Sequence, residues 1–421
     1  MASTASNPPS AAAGPSPDRL PTDPTDPSDP SDPSDPADPA AGWRGNAALL
    51  AFGTFVVGTD AFVVAGVLPD IAHSLRLSLG AAGQLVTVFA IAYALGSPLL
   101  AALTAGWSRR TVLVTALVVF AAGNAATAVA PDYVTVLAAR VLAALGAALY
   151  TPNAATTAGA LAGDRHRGRA FSIVNIGLTS SLVLGAPLGT AVGESYGWRA
   201  TMWLVTILPL LVAPLLVVRL PRVRLAAGAG LRARLAPLGD RRVLGVLAIT
   251  LVVFIGIYLP FQYISAVYGP AAAQVPHGLA IVLLVFGVAA TGGNLLAGRL
   301  ADRYGARRVV LAVAAALTVV FALMPLTRGQ FAAAAPFTLL IGWLSFSVLT
   351  PQQHRIVALA PDAPAVSVSL NAAALYVAVS LAGLLGAVGL DTIGATLLPV
   401  AAAVFTAAGT ALAAAAGGRS A

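Results

Sequence analysis

GLAIVLLVFGVAATGGNLLAGRLADRYGARR, residues 278–308, carries the pattern that decides the fold. From Gly278 to Gly298 no charged residue interrupts the apolar run; four arginines and one aspartate then crowd into ten residues, and a new apolar run opens at Val309. About 20 residues at ~1.5 Å each cover the ~30 Å of a bilayer's hydrocarbon, so the run reads as a helix that crosses and the arginine cluster as the connection to the next. Working outward, the pattern recurs along the chain, with apolar stretches at roughly 46–68, 82–104, 111–130, 133–161, 170–193, 198–218, 243–268, 278–300, 309–327, 332–358, 364–388 and 392–416. With 58% hydrophobic and 10% charged residues, a soluble fold would have too little polar surface to cover itself. The expected fold is an all-α membrane protein of twelve transmembrane helices in the lipid bilayer.

Short loops rich in Arg or Lys stay cytoplasmic. All 24 basic residues are arginine. With the amino terminus inside, nineteen of them fall in cytoplasmic segments and three (Arg76, Arg199, Arg328) outside, leaving Arg19 in the tail and Arg140 within a span. An even number of spans returns the carboxyl terminus to the same side, so both termini are expected in the cytoplasm of a multi-pass cell-membrane protein. The net charge of +8 is divided among membrane-flanking loops instead of gathered on one face, which points to topology and anionic lipid and to no nucleic acid.

Residues 1–42 are of another kind. A Thr/Ser/Ala-Asp-Pro triplet runs six times from Thr22 to Pro39, and proline every third residue with like charges between blocks helix and sheet, so a disordered cytoplasmic tail is expected. Cysteine is absent, which excludes disulfides, thiolate metal sites and thiol nucleophiles. The four histidines are scattered, so no metal site is expected, and no GxxxxGK[ST] loop supplies an ATP motor. No cofactor is expected.

The longest internal connection, 219–242, holds seven arginines and divides the spans six and six. This gives a first half at 43–218, a basic cytoplasmic linker at 219–242 and a second half at 243–421, an arrangement suited to two pseudo-symmetric halves rocking about a central site. The loop after the eighth span, Gly298 to Arg308, has an equivalent after the second, Leu103 to Arg110. Aligning Ser108 with Gly305 puts Ala105 where Asp302 stands.

At these residues the chain resembles the major facilitator superfamily, and within it the twelve-span drug/proton antiporters and the chloramphenicol-efflux and sugar-efflux permeases, over about residues 45–416. Gly298, Asp302, Arg303, Gly305 and Arg307 resemble that family's cytoplasmic-loop signature; the glycines are expected to permit a tight turn, and Asp302 to pair with nearby arginines or face a helix amino terminus. Arg140 resembles its intramembrane arginine. Gly185, Pro187 and Gly189 resemble the antiporter signature of the fifth span. There, small residues every four positions from Gly177 to Gly193 would let a neighbouring helix approach closely, and Pro187 would kink the helix.

Asp60 is the residue expected to carry the chemistry. It stands in the otherwise apolar Gly58-Thr-Asp-Ala-Phe-Val-Val-Ala-Gly-Val-Leu-Pro69, eight residues from an outer end expected near Leu68. A carboxylate there costs several kcal/mol unless it is protonated, paired or wet. Arg140 lies eight residues beyond Asp132, which puts both charges roughly 12 Å below the outer surface. A charge pair is therefore possible, whether for proton coupling or as a purely structural ion pair.

Between the halves a small-molecule site is expected. Phe254, Tyr258 and Gln262 recur every four residues on the seventh span and suggest an aromatic and amide wall; Asn175, Thr179, Ser180, Asn294, Trp343, Ser347, Asn371 and Tyr376 add groups capable of hydrogen bonding or of packing between helices. The core offers one acid and one arginine, too few for a clustered acid, base and nucleophile, so no catalytic residue and no enzyme is expected. The resemblance implies proton-coupled export of a small drug-like or antibiotic compound by alternating access, with a small-molecule substrate and protons as partners and the chain acting as a monomer. Alternatives are efflux of sugars or related metabolites, proton-coupled uptake, and a non-transporting sensor or intramembrane enzyme on the same fold.

Overall fold

The structure, a computed structural model, describes residues 39–223, 236–359 and 364–416. Residues 1–38 of the Asp-Pro-rich tail and 224–235 of the basic linker lie outside the described residues, so the expectation of disorder for the tail falls there. Among the described residues there is no strand, and twelve helices are long and apolar enough to cross a membrane. The first six are α1 (Gly42–Leu75), α2 (Leu79–Leu103), α3 (Arg109–Val129), α4 (Tyr133–Gly163), α5 (Arg165–Tyr196) and α6 (Trp198–Arg219). The second six are α7 (Arg241–Gln262), α8 (Gly278–Tyr304), α9 (Ala306–Thr327), α10 (Phe331–Leu359), α11 (Val366–Thr392) and α12 (Gly394–Ala415).

Short polar residues start several of these helices by taking the first free backbone N–H groups. Ser78 accepts from Ala81, Ser108 from Thr111, Asp132 from Thr135 and Asp240 from Arg242. The backbone and hydroxyl bonds from Thr135 hold the Asp132 carboxyl below the usual carboxylate range.

Three boundaries differ from those expected. α1 continues through Pro69 to Leu75 instead of ending near Leu68, because Ile71 and Ala72 are buried and a proline there removes only one backbone bond. The stretch 243–268 is not one helix: α7 ends at Gln262, and two short helices, Ile264–Val267 and Gly269–Ala272, follow. The connection expected near 162–169 is a helical corner, in which Gly163 alone leaves helical geometry, at φ 65°, a conformation that favours glycine.

The packing repeats between halves. α1 meets α5 and α6, α2 meets α4 and α3 meets α6; correspondingly α7 meets α11 and α12, α8 meets α10 and α9 meets α12. The halves then join along two seams, α2 with α11 and α5 with α8. Twelve crossings bring Gly42, Arg219, Arg241 and Ala415 to one face, here the linker face, and leave the other as the far face.

Contacts along both seams run from the far face to mid-depth. On the first, Gly80 lies against Ala387 and Gln84 Nε2 donates to the Gly383 carbonyl at 3.4 Å. Deeper, Tyr93 stacks on Tyr376. On the second, His277 Nδ1 lies 2.8 Å from Glu194 Oε2, and Gly287 is pressed against the backbone of Leu182.

Candidate functional site

Asp60 and Arg140 meet in the first half. Arg140 Nη1 donates to both carboxylate oxygens of Asp60, at 2.7 and 2.9 Å. Asp60 is 0% and Arg140 2% exposed, so water screens neither charge. The guanidinium carbon lies 4.5 Å from the ring centroid of Phe89 on α2, which adds a cation–π contact. Among the described residues, the buried Arg140 Nε has no hydrogen-bond partner. A buried pair of this kind stands only while both charges are present; losing one leaves the other stranded in low dielectric, at a cost of about 3–5 kcal/mol.

The small-residue stripe of α5 holds α1 in the place this pair requires. A methyl on Gly177 would overlap the carbonyl oxygen of Ala51, one on Gly185 the Thr59 hydroxyl, and one on Gly189 the Val63 side chain. Gly58, two residues before Asp60, is packed equally closely on Ser181. Ahead of Pro187 the helix opens into a π turn at Ser181–Gly185, so the residue that cannot donate a backbone bond follows a local change of helical winding.

The other expected site residues are spread out. Tyr258 sits in an aromatic group with Phe254 and Phe261, centroids 6.2 and 6.0 Å away, and Phe62 of α1 reaches Phe261 edge-on at 6.3 Å. Gln262 does not share that wall: it is buried, and its amide donates to the Val379 carbonyl of α11 at 2.7 Å, a bond within the second half. Asn371 is likewise buried in that half, where its Oδ1 accepts from Thr250 at 2.8 Å. Trp343 packs its ring on Gly292 of α8 and remains partly exposed; Asn175 is exposed on α5.

The loop residues differ from expectation in two respects. Gly305 makes the α8–α9 turn at φ 87°, but Gly298 lies inside α8, where a methyl in its place would find its nearest neighbour, Thr350, 3.7 Å away, so it does not form the turn. Asp302 is exposed and makes no ion pair among the described residues, since on a helix end in water such a pair is worth little. Arg303 instead lies over the Tyr304 ring at 5.2 Å. Arg307 donates to the carbonyls of Ala413 and Ala414 at the end of α12, and Arg110, its equivalent in the first half, donates to the Val217 carbonyl near the end of α6. Both arginines thus cap a helix carboxyl end, where a cation is favoured.

Residues missed in the sequence are Phe89, beneath the guanidinium, and Tyr93, whose ring partner Tyr376 was identified without it. An aromatic in an apolar helix carries no periodic signal that separates it from ordinary packing.

Residues 50–387 match the family model of the Major Facilitator Superfamily. The chain is 33% identical over 357 residues to the chloramphenicol resistance protein of Streptomyces lividans, covering 84% of this chain and 91% of that protein. It is 30% identical over 345 residues to the uncharacterized MFS-type transporter YbcL of Bacillus subtilis (strain 168), covering 82% and 88%. Among solved structures it is similar to a bacterial homologue of the human lysosomal transporter Spinster in an inward-facing and unoccupied conformation, with a TM-score of 0.73 at 17% identity over 90% of this chain and 97% of that one.

Proposed function

The chain belongs to the major facilitator superfamily, a transporter and not an enzyme, and from that premise we propose that it exports a small, drug-like compound in exchange for protons. The observation that carries this reading is the Arg140–Asp60 pair, a titratable carboxylate and its counter-charge both sealed from water at 2.7 Å. Protonating Asp60 removes the charge that Arg140 needs, so the state holding the pair and the state that opens it respond to the proton by different free energies. A difference of about 5.5 kcal/mol turns a 1:99 population into 99:1, and the cost of breaking a buried pair, about 3–5 kcal/mol, is of that order.

The linker face is assigned to the cytoplasm from the arginine distribution, nineteen to three. On that assignment the seams are closed toward the outside, and the paired, charged Asp60 belongs to the inward-facing carrier after it has released its proton. Substrate then enters from the cytoplasm, the halves rock, and protonation of Asp60 from outside drives the return. Chloramphenicol is the first compound to try, because the relative from Streptomyces lividans is a chloramphenicol resistance protein.

The test measures proton release from detergent-purified protein on adding chloramphenicol and a panel of other small antibiotics, with native protein beside Asp60→Asn. Release from the native chain that disappears in the variant supports exchange at Asp60. Equal release from both overturns that assignment.

A further inference from the structure

Three helices of the first half outrun the bilayer at the linker face. α3 and α6, with 21 and 22 residues, are just long enough to cross ~30 Å of hydrocarbon, whereas α4 has 31, α5 has 32 and α1 has 34. α3 ends at Val129 and α4 starts at Tyr133; α5 ends at Tyr196 and α6 starts at Trp198. Each pair is thus level at the far face, so the extra length of α4 and α5 projects at the linker face. The Arg109 side chain at the start of α3 donates to Asn153, which marks the level on α4. From Asn153 to Gly163 the helix runs on for about 15 Å at ~1.5 Å per residue.

At this tip α4 turns into α5, and α1 is pinned to the turn: the Trp43 ring stacks on His166 with centroids 5.6 Å apart. The corner carries Arg165, Arg167 and Arg169, and α1 adds Arg44; all four are exposed. Arg44 lies over the Trp43 ring and Arg167 over the Phe171 ring, but among the described residues none of the four meets a carboxylate. Asp164 is the one acid in that stretch of sequence. Headgroups add only about 5–8 Å to each side of the hydrocarbon. Lipid phosphates can therefore neutralise arginines at the level of Arg109 or Arg219, while the corner stands beyond them.

The missing charge lies next to the corner in sequence. Asp18, Asp23, Asp26, Asp29, Asp32, Asp35 and Asp38 precede α1, against the single Arg19. Asp38 is five residues from Trp43, and Asp35 and Asp32 follow at steps of three. A tether of that length has a root-mean-square reach of about 20 Å, which presents these carboxylates to the arginines at millimolar effective concentration.

We propose that the projecting α1–α4–α5 corner is a docking surface for the chain's own acidic tail, in which residues 22–38 lie against Arg44, Arg165, Arg167 and Arg169 and supply the carboxylates that the corner lacks. The contact is electrostatic, so salt weakens it, and while it stands it closes the corner to other polyanions. It does not depend on what the protein carries or in which direction.

The test uses the full, cysteine-free chain in phosphatidylcholine vesicles. Ser31→Cys is paired either with Gly168→Cys in the corner or with Gly239→Cys beside Arg241 and Arg242; both glycines are exposed and have room for a side chain. Disulfide formation is measured and corrected for thiol reactivity toward a neutral maleimide. The pair with Gly168→Cys is expected to form at least about fivefold faster than the pair with Gly239→Cys, and to slow by as much between ~0.01 and ~1 M salt, where the Debye length falls from about 30 to about 3 Å. Changing Arg165, Arg167 and Arg169 to Gln should slow it equally. So should changing Asp26, Asp29, Asp32, Asp35 and Asp38 to Asn, which leaves every membrane span untouched. Equal rates at the two positions, a faster rate at Gly239→Cys, or a corner rate indifferent to salt and to both sets of substitutions overturns the proposal. Adding phosphatidylglycerol to the vesicles should leave the corner rate unchanged; a fivefold drop would show that lipid headgroups, and not the tail, hold the corner in an anionic bilayer, and would overturn it too.

Discussion

Tyr93 on α2 and Tyr376 on α11 stack across the seam between the halves, ring centroids 4.0 Å apart and planes 21° from parallel. They are the deepest of the α2–α11 contacts described, so the closed part of that seam ends in an aromatic pair instead of a salt bridge. A stacked pair contributes about 0.5–1.5 kcal/mol. Tyr93→Ala should therefore shift the closed seam toward open by several-fold. In this cysteine-free chain the reporter is the rate of oxidative crosslinking between Gly80→Cys and Ala387→Cys, positions that touch when the seam is closed. An unchanged rate would show that the rings do not hold the seam.

The Asp60–Arg140 pair predicts an asymmetry between single and double substitution. Arg140→Met strands a buried carboxylate and should cost about 3–5 kcal/mol, while Asp60→Leu with Arg140→Met together should restore most of that stability. Thermal unfolding in detergent measures both. The double variant is expected to fold well and to release no protons on substrate addition, which separates the pair's role in stability from its role in exchange.

Glycine substitutions should sort by what lies opposite. Gly177→Val drives a side chain into the Ala51 carbonyl and displaces the helix that bears Asp60, with an overpacking cost of about 1–3 kcal/mol or more. Gly298→Ala meets nothing closer than Thr350 at 3.7 Å and replaces a helical glycine, so it should stabilise slightly, by about 0.5–1 kcal/mol. Melting temperatures moving in the same direction would contradict this reading of the α1–α5 contact.

Arg110→Gln and Arg307→Gln each remove the cap on a helix end in a different half. Each should lose about 1 kcal/mol, and because the sites share no partner the losses should add. A double variant no worse than either single one would mean that the two caps are not independent.

The apolar runs made the twelve spans legible, since hydrocarbon thickness sets their length and little else competes. The meeting of Asp60 and Arg140 was legible only as a possibility, and for a different reason. The depth count placed the end of α1 at Leu68 when the helix runs to Leu75, yet an acid and an arginine buried in neighbouring helices each need a partner, and each was the only one available to the other. What one sequence did not reveal was helix rotation. Tyr258 and Gln262 share a face by spacing, but the amide turns to α11 while the ring stays with the aromatics. Tyr93 and Tyr376 are ordinary apolar-helix tyrosines until two distant spans are set side by side.

The two halves serve as replicates of one another. At the loop position where the second has Asp302, the first has Ala105, and Asp302 forms no ion pair among the described residues; at the position of Arg307 the first has Arg110, and both hold the closing carbonyls of the last helix of their own half. A difference at one position and a contact repeated at the other set the members of this loop apart: the arginine is a clasp that fastens each six-helix unit to its own last helix, and the acid takes no part in it.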